Sequence, residues 1–318
     1  MKKQQNFAQP SVTTTYAGEF AGKYIAAALL SAKTLDNQYI TIMPNVKFKS
    51  VIQSVAVDSI VNDASCDFQT NSGTVALTER ILEPKELQVN LQLCKQEFVD
   101  SWQALQLGYS AFDEIPKDFN DFLISYVGGK VAQATEESIW RGVSATNGQF
   151  GGIYTALSSS IVAGGVNAPV TSSVSGSITS ANVLTALNAV VDGIPATVYG
   201  KEDIYIYIPT NVAKAYQQAL AGGAQGANGY NNQLNVGEKP MNFNGIPLAL
   251  CPGLNANQIV AAQKSNLFFG TGLLSDYNEV KVLDMADLDG SQNFRVIMRY
   301  TADTEFGIGN ECVIHKNY

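Results

Sequence analysis

The amino-acid sequence predicts an α+β fold that combines antiparallel strands with a small number of helices. Between Lys264 and Gly309, short runs of β-branched and aromatic residues are bounded by Gly and Asp, which is typical of strands joined by turns. From Leu87 to Cys94, apolar and polar residues alternate with the two-residue period of a strand. Between Pro116 and Arg141, apolar residues recur at helical spacing. The chain therefore contains both kinds of element.

The composition restricts the class of protein. With 318 residues, the chain is long enough for one large domain or two smaller ones. Hydrophobic residues make up 46% of the chain and charged residues only 15%, well below the roughly 25% of an ordinary soluble domain. With so few charges, we expect partners to cover much of the surface. The net charge of −8 argues against a DNA-binding face along the chain, because counterion release requires clustered Lys and Arg.

The cysteines and the apolar segments indicate neither metal binding nor a membrane. The cysteines are Cys66, Cys94, Cys251 and Cys312. They are far apart and form no CxxC pair, so neither a zinc site nor a secreted disulfide framework is predicted. The apolar run Tyr24–Leu30 is too short to span a bilayer, which requires about 20 residues. We therefore expect reduced thiols, no membrane segment and folding in a reducing cytoplasm.

The N-terminal part of the chain predicts an arm, a helix and a hairpin. Residues Met1–Tyr16 are polar and Thr-rich, and they have no core of their own. A helix is predicted at about Gly18–Lys33. Period-2 alternation within Gln38–Val61 and a returning strand near Thr74–Glu79 predict a long β-hairpin that has no obvious helix to pack on.

The remaining elements follow from hydrophobic period and turn residues. Gly128–Gly129 predicts a bend in the long helix, and Gly148–Gly165 marks a boundary around an apolar strand. Ser180 is expected to cap a helix that stops at Gly193. The other predicted elements are helices at Gln96–Leu105, Ala181–Val191 and Asn211–Leu220, strands at Asp203–Ile208, Asn266–Phe269, Glu279–Leu283 and Asn293–Tyr300, and a Gly-rich loop at Gly222–Asn235.

The sequence offers little equipment for catalysis. Its single histidine, His315, lies in a strand-like tail and leaves no basis for a two-histidine metal site or a catalytic triad. Gly270–Gly272 is interpreted as a turn, and the acidic stretch Asp284–Asp289 lacks the spacing of a calcium loop. Glu136–Glu137 is expected on the exposed side of the long helix, although paired carboxylates leave glycosidase chemistry open. We predict no catalytic, metal or cofactor-binding residue, and no enzyme.

In content and order, these elements resemble the major capsid proteins of tailed double-stranded DNA bacteriophages, the Hong Kong 97-type capsid fold. The resemblance starts from the strand pair and long strand in Lys264–Gly309 and extends in order over nearly the whole chain. It implies an N-terminal arm, an extended β-hairpin loop (E-loop), a peripheral (P) domain with a long spine helix, and an axial (A) domain. The implied boundaries are 1–37 for the arm, 38–80 for the E-loop, 81–150 and 284–300 for the P domain, and 151–283 and 301–318 for the A domain.

The resemblance also implies a function. A major capsid protein is a structural protein that self-assembles into pentamers and hexamers, which form the icosahedral shell around a phage double-stranded DNA genome. Its implied partners are further copies of itself, portal, scaffold and decoration proteins, and packaged DNA held non-specifically on the inner face. It is located in the virion after assembly in the host bacterial cytoplasm. The alternative is an encapsulin-like bacterial compartment shell protein, which encloses cargo enzymes; a surface-layer or fibre-like structural protein is a further one.

Two sets of candidate contact residues follow from this resemblance. Residues expected at an intersubunit contact are Val46, Lys47, Phe48, Lys49, Val55 and Val57, in the hairpin. Residues expected in a loop at the ring centre are Gly222, Gly226, Asn228 and Tyr230. Some relatives join an E-loop lysine to a neighbouring subunit through an isopeptide bond, but alternating lysines also keep an exposed strand edge soluble, and both interpretations of Lys47 and Lys49 stay open.

The N-terminal arm, Met1 to about Tyr16, is expected to be ordered only in an assembled particle, because its polar composition cannot bury enough surface to fold alone. Limited proteolysis should therefore cut the arm quickly in free subunits and slowly in shells. Equal cleavage rates in the two states would contradict this expectation.

Overall fold

The computed structural model describes residues 32–46, 48–57, 66, 75–94, 117–163, 168–173, 176–221, 241–272, 281–285 and 290–316. The chain divides into two compact units. The smaller unit comprises Met1–Ala28, Asn90–Tyr126 and Val280–Ile297, and the larger one comprises Leu29–Val89, Val127–Glu279 and Met298–Tyr318. None of the described helices is long and apolar enough to cross a membrane.

Helices and strands are interspersed along the described chain. The helices are α1 (Lys33–Asp36), α2 (Lys117–Arg141), α3 (Ile153–Ala163), α4 (Val183–Asp192) and α5 (Thr210–Ala221). The strands are β1 (Thr41–Met43), β2 (Ser50–Val57), β3 (Val75–Leu82), β4 (Lys85–Cys94), β5 (Val170–Ser172), β6 (Ile204–Ile208), β7 (Asn242–Phe243), β8 (Ile246–Leu250), β9 (Ile259–Gln263), β10 (Leu267–Thr271), β11 (Lys281–Asp284), β12 (Asn293–Phe306) and β13 (Val313–His315).

A six-stranded sheet forms the core of the larger unit, in the order β5-β13-β9-β6-β8-β7. Its central strand β6 pairs in parallel with β8, where Ile206 faces Leu248, and antiparallel with β9, where Ile206 faces Ala261. Helices α4 and α5 contribute buried side chains to the same apolar cluster. The sequence predicted β6 as a buried strand and α5 after Pro209, and both predictions are confirmed to within one residue at each end.

A second set of strand pairs in the larger unit surrounds β10. This strand pairs in parallel with β1, where Thr41 faces Phe268, and antiparallel with the end of β12, where Leu267 faces Phe306. The predicted turn at Gly270 is wrong, because β10 continues through Gly270 to Thr271. Gly270 lacks a side chain at a point where a Cβ atom would lie 2.6 Å from Leu82 Cδ2, so it makes room for the hairpin.

In the smaller unit, β11 pairs antiparallel with the first part of β12, where Val282 faces Val296. Strand β12 also pairs with β4, and Arg295 Nε donates to Gln92 Oε1 at 3.1 Å. The predicted end of β12 at Tyr300 is too early. The strand continues to Phe306 because its second part has its own ladder partner in β10.

Residues Ile153–Ala163 form a helix, so the apolar strand predicted within Gly148–Gly165 is wrong. Helix α3 buries Ile153, Tyr154 and Leu157, which lie on one face at helical spacing. A short apolar run between glycines does not by itself distinguish a strand from a buried helix.

Helix α4 begins later than predicted, and Ser180 does not cap it. Asn182 occupies the N-cap position, but its side chain turns back, so that Oδ1 accepts a hydrogen bond from Thr179 N at 2.6 Å. The predicted stop at Gly193 is confirmed.

The long helix predicted between Pro116 and Arg141 is confirmed as α2, which continues through Gly128–Gly129. Of the predicted helix Gly18–Lys33, only the end is described, and there α1 begins at Lys33. The predictions for the arm Met1–Tyr16, the helix Gln96–Leu105 and the loop Gly222–Asn235 lie outside the described residues.

Candidate intersubunit surface

Strands β2 and β3 form an antiparallel hairpin whose side chains point alternately to its two sides. Its register pairs Val51 with Ile81 and Val55 with Leu77. Directly opposed residues of an antiparallel pair lie on the same side of the sheet, and residues two apart along a strand share that side. Val51, Val55, Leu77 and Ile81 therefore lie together on one side, which we call the outer face.

The outer face carries large apolar side chains that stay half or more exposed in the described chain. The exposed fractions of its side chains are 50% for Val51, 58% for Val55, 67% for Leu77 and 51% for Ile81. Between these apolar pairs, Gln53 Nε2 donates to Glu79 Oε1 at 3.1 Å. Exposed apolar residues are ordinary when they are scattered singly, but four on one side of a hairpin, in two pairs separated by a single polar pair, are typical of an interaction surface.

The opposite side, the inner face, is anchored at its base. Leu82 is fully buried, and its side chain lies over Gly270 of β10. Farther along the hairpin, the hydroxyls of Ser54 and Thr78 lie 2.5 Å apart. Among the described side chains of the hairpin, a fully buried apolar contact with the body of the larger unit lies on the inner face, at Leu82.

The predicted contact residues do not all lie on an exposed surface. Phe48 is 74% exposed, and the Lys49 ammonium lies 5.4 Å from its ring centroid. Lys49 Nζ also forms an ion pair with Glu83 Oε2 at 3.1 Å. Val46, however, is buried, and its N–H donates to the carbonyl of Thr271. Val46 was expected at an intersubunit contact, yet the subunit itself buries it, with its backbone beside the end of β10.

Several predicted residues are not placed. Lys47 and the side chain of Val57 lie outside the described residues, although the backbone of Val57 pairs with Val75. The ring-centre candidates Gly222, Gly226, Asn228 and Tyr230 also lie outside them.

Sequence reasoning missed Val51, Leu77 and Ile81. Their signal is present in the period-2 positions Val51-Gln53-Val55 and Leu77-Glu79-Ile81, each of which places a polar residue between two apolar ones. Ending the returning strand at Glu79 concealed this symmetry, because β3 continues to Leu82.

A buried polar cluster lies elsewhere in the larger unit, on helix α2. Glu136 is only 1% exposed, so its predicted position on the solvent side of the helix is wrong. Its Oε2 accepts a hydrogen bond from Thr34 N at 3.0 Å, and its Oε1 accepts one from Thr34 Oγ1 at 2.6 Å. Trp140 Nε1 donates to Thr34 Oγ1 at 2.9 Å. The cluster holds the segment that leads into the hairpin against α2.

Burial determines the protonation behaviour of Glu136. Desolvation raises the pKa of its carboxyl above the ordinary value of 4.5, while the hydrogen bonds from Thr34 and the Gly253 backbone act in the opposite direction. Its neighbour Glu137 pairs with Arg141 Nη2 at 2.7 Å. Glu136 is closed to solvent whereas Glu137 lies at the surface, so the two carboxylates do not flank a common opening, as a glycosidase would require.

We expect replacement of Glu136 with Gln to change the pH dependence of stability. The pKa of Glu136 is higher in the folded protein than in the unfolded chain. Protonation of this carboxyl therefore stabilises the fold, and the stabilisation is fully present below pH 4.5 and is lost as pH rises through the folded pKa. The free energy of unfolding of wild type minus that of Glu136→Gln should therefore increase as pH falls from 7.5 to about 4.5. Urea unfolding of both proteins across this range measures the difference, and parallel curves would contradict the assignment.

The single histidine lies inside the six-stranded sheet. His315 is fully buried in β13, its Nδ1 lies 3.1 Å from Ser172 Oγ, and its carbonyl accepts a hydrogen bond from Tyr154 Oη. Burial lowers the pKa of the imidazole. Within the described part of the chain, no group of three or more His, Cys, Asp or Glu side chains is arranged to hold a metal ion. The cluster is a packing arrangement closed to solvent.

Comparison with known proteins by sequence finds no relative. No protein-family model matches the chain, and no curated protein matches it.

Comparison by structure finds capsid proteins. The capsid of the native GTA particle is 15% identical, with a TM-score of 0.61 over 92% of this chain and 98% of that chain. The cyanophage A-1(L) capsid is 14% identical, with a TM-score of 0.59 over 97% and 98%. The capsid of Myoviridae phage XM1 is 11% identical, with a TM-score of 0.57 over 94% and 95%. The chain therefore has the mixed helix-and-sheet fold of these capsid chains, and the predicted resemblance to phage capsid proteins is confirmed at the level of the fold.

Proposed function

We propose that this chain is the major capsid protein of a tailed bacteriophage, of the Hong Kong 97 type. In this proposal it self-assembles into pentamers and hexamers that form an icosahedral shell around a double-stranded DNA genome. Its role is structural, without an enzymatic reaction, and its place is the capsid of the virion after assembly in the host cytoplasm.

The observation that carries the proposal is the match of nearly the whole chain to nearly whole capsid chains, such as 97% of this chain with 98% of the cyanophage A-1(L) chain. The outer face of the hairpin adds independent support, because its apolar side chains are 50–67% exposed and lack full cover within the described chain. A shell supplies that cover from a neighbouring subunit, where an obligate interface buries about 2,000 Å² or more.

The domain assignment belongs to the same proposal. Residues 1–37 would be the arm and 38–80 the E-loop. Residues 81–150 and 284–300 would form the P domain with α2 as its spine helix, and residues 151–283 and 301–318 the A domain. The ring-centre role of Gly222, Gly226, Asn228 and Tyr230 is part of it.

The negative net charge of the chain predicts weak binding of packaged DNA. A net charge of −8 provides few sites for counterion release, so packaged DNA would be held weakly and without sequence preference. Portal, scaffold and decoration proteins are the further partners of this proposal.

Expression of the chain alone, followed by negative-stain electron microscopy and sedimentation velocity, tests the proposal. Uniform hollow shells or five- and six-membered rings are expected. A stable monomer at high concentration would contradict it. Nucleic acid in particles purified from infected or lysogenic cells distinguishes a genome capsid from an encapsulin-like compartment, which would contain cargo enzymes instead.

A further inference from the structure

The base of the hairpin is held to the body by an arginine of its inner face. Arg80 lies on β3, two residues before the end of the strand. Its Nη1 donates to Glu305 Oε1 at 3.2 Å, and its Nη2 donates to Ser160 Oγ at 3.3 Å. One guanidinium therefore joins three separate elements, namely β3, β12 and α3.

The same guanidinium stacks on an aromatic ring. Arg80 Cζ lies 3.6 Å from the ring centroid of Phe306, which is fully buried. A planar guanidinium can stack on a ring and donate sideways from its edge at the same time, which a lysine ammonium cannot do. Glu305 Oε1 also accepts a hydrogen bond from Phe306 N at 3.1 Å, so a contact that does not involve Arg80 also holds the carboxylate beside Phe306.

Two further contacts lie within two residues of the strand end. Glu83 N donates to Asp303 Oδ2 at 3.0 Å, and the side chain of Leu82 lies over Gly270. Arg80 contacts β12 two residues along from Asp303 on the same side, so the hairpin meets β12 at two points along its length. Two points of attachment fix the direction of the hairpin, whereas a single point would let the hairpin rotate about it.

We propose that Arg80 is a positioning residue that fixes the direction in which the hairpin leaves the body of the subunit. The second part of the proposal rests on the proposed capsid function. The direction of the hairpin sets the angle at which a neighbouring subunit is held, and this angle sets the curvature of the shell. The outer face contacts the neighbouring subunit, and Arg80, on the inner face, fixes the orientation of the hairpin that carries this contact.

Because the hairpin is long, a small rotation at its base moves its far end by several ångströms. Strand β3 has 8 residues, so a rotation of about 10° at its base moves its far end by about 4–5 Å over a length of about 26 Å. A displacement of this size exceeds what a packed apolar interface absorbs without losing contacts. A small loosening at Arg80 is therefore expected to change assembly although no contact residue is altered.

The first test measures the direction of the hairpin in unassembled subunits. One spin label is attached to Cys66, which is exposed, and a second to Cys introduced at the exposed Tyr199, with Cys94 replaced by Ser. The distribution of distances between the labels should become at least twofold broader in Arg80→Lys and in Glu305→Gln. Arg299→Ala is the matched control, because Arg299 lies on the same strand β12 in an exposed pair with Glu86 at 4.0 Å, and it should leave the distribution unchanged.

The second test measures particle diameters by electron microscopy. Arg80→Lys should yield open sheets or a diameter distribution at least twofold broader than that of the parent, while Arg299→Ala should give parental particles. An unchanged distance distribution in Arg80→Lys, with a parental circular dichroism spectrum, would overturn the positioning role. Broadened distances with parental particles would overturn the link to curvature. If the parent forms no particles, the capsid function fails, but the distance measurement still decides the role of Arg80.

Discussion

Under the proposed capsid function, Leu77→Asp should abolish shell assembly while leaving the subunit folded. In the isolated chain Leu77 is 67% exposed, so a carboxylate there remains in water and loses little. Across an interface, the same charge would be buried beside Val55, its cross-strand neighbour, and beside the apolar surface of another subunit. Burying an unpaired charge costs several kcal/mol, and an icosahedral shell repeats that penalty at every copy of the contact.

Sedimentation velocity and negative-stain microscopy measure the outcome, and circular dichroism confirms that the fold is intact. Thr78→Asp is the matched control, because Thr78 is the next residue, is also exposed, and lies on the inner face of the hairpin. Phe48→Asp should behave like Leu77→Asp, since Phe48 is likewise exposed at the start of the hairpin. Parental assembly of Leu77→Asp would show that the outer face is not the intersubunit contact.

Gly253→Ala should destabilise the fold by about 3 kcal/mol or more, at the upper end of overpacking effects. A Cβ atom at this position would lie 2.0 Å from the carbonyl oxygen of Glu136 and 3.0 Å from Trp140 Cδ1. Because the nearest atom belongs to the backbone of helix α2, it cannot rotate away. The loop would have to retreat, and its N–H would then lose the Glu136 carboxylate as an acceptor.

The free energy of unfolding in urea measures this effect. Gly128→Ala is the matched control, because it makes the same chemical change at a helical position where a Cβ atom would meet nothing within 4 Å. The change in backbone entropy of the unfolded chain is the same in both variants. Gly128→Ala should therefore stabilise the protein by about 0.5–1 kcal/mol, and equal effects of the two substitutions would show that the loop does not approach α2 closely.

The capsid resemblance was accessible from element order, although no single motif carries it. Strand β6, the stop of α4 at Gly193 and the extent of α2 all follow from neighbouring residues, through hydrophobic period and turn chemistry. Helix α3 was missed because its apolar face is short and is flanked by glycines, a pattern that a buried strand shares.

The amino-acid sequence alone was sufficient for the type and order of most elements, since helix and strand periods are local properties of the chain. Burial was decided by the tertiary structure. Glu136 can be buried because Thr34, 102 residues earlier, donates hydrogen bonds to both of its carboxylate oxygens. The residues next to Glu136 in the sequence do not predict that partner. Val46 and Phe48 have the same strand-like pattern, yet only Val46 is covered, because β10 arrives beside it. Long-range packing selects which of two locally equivalent apolar residues enters the core and which remains on the outside.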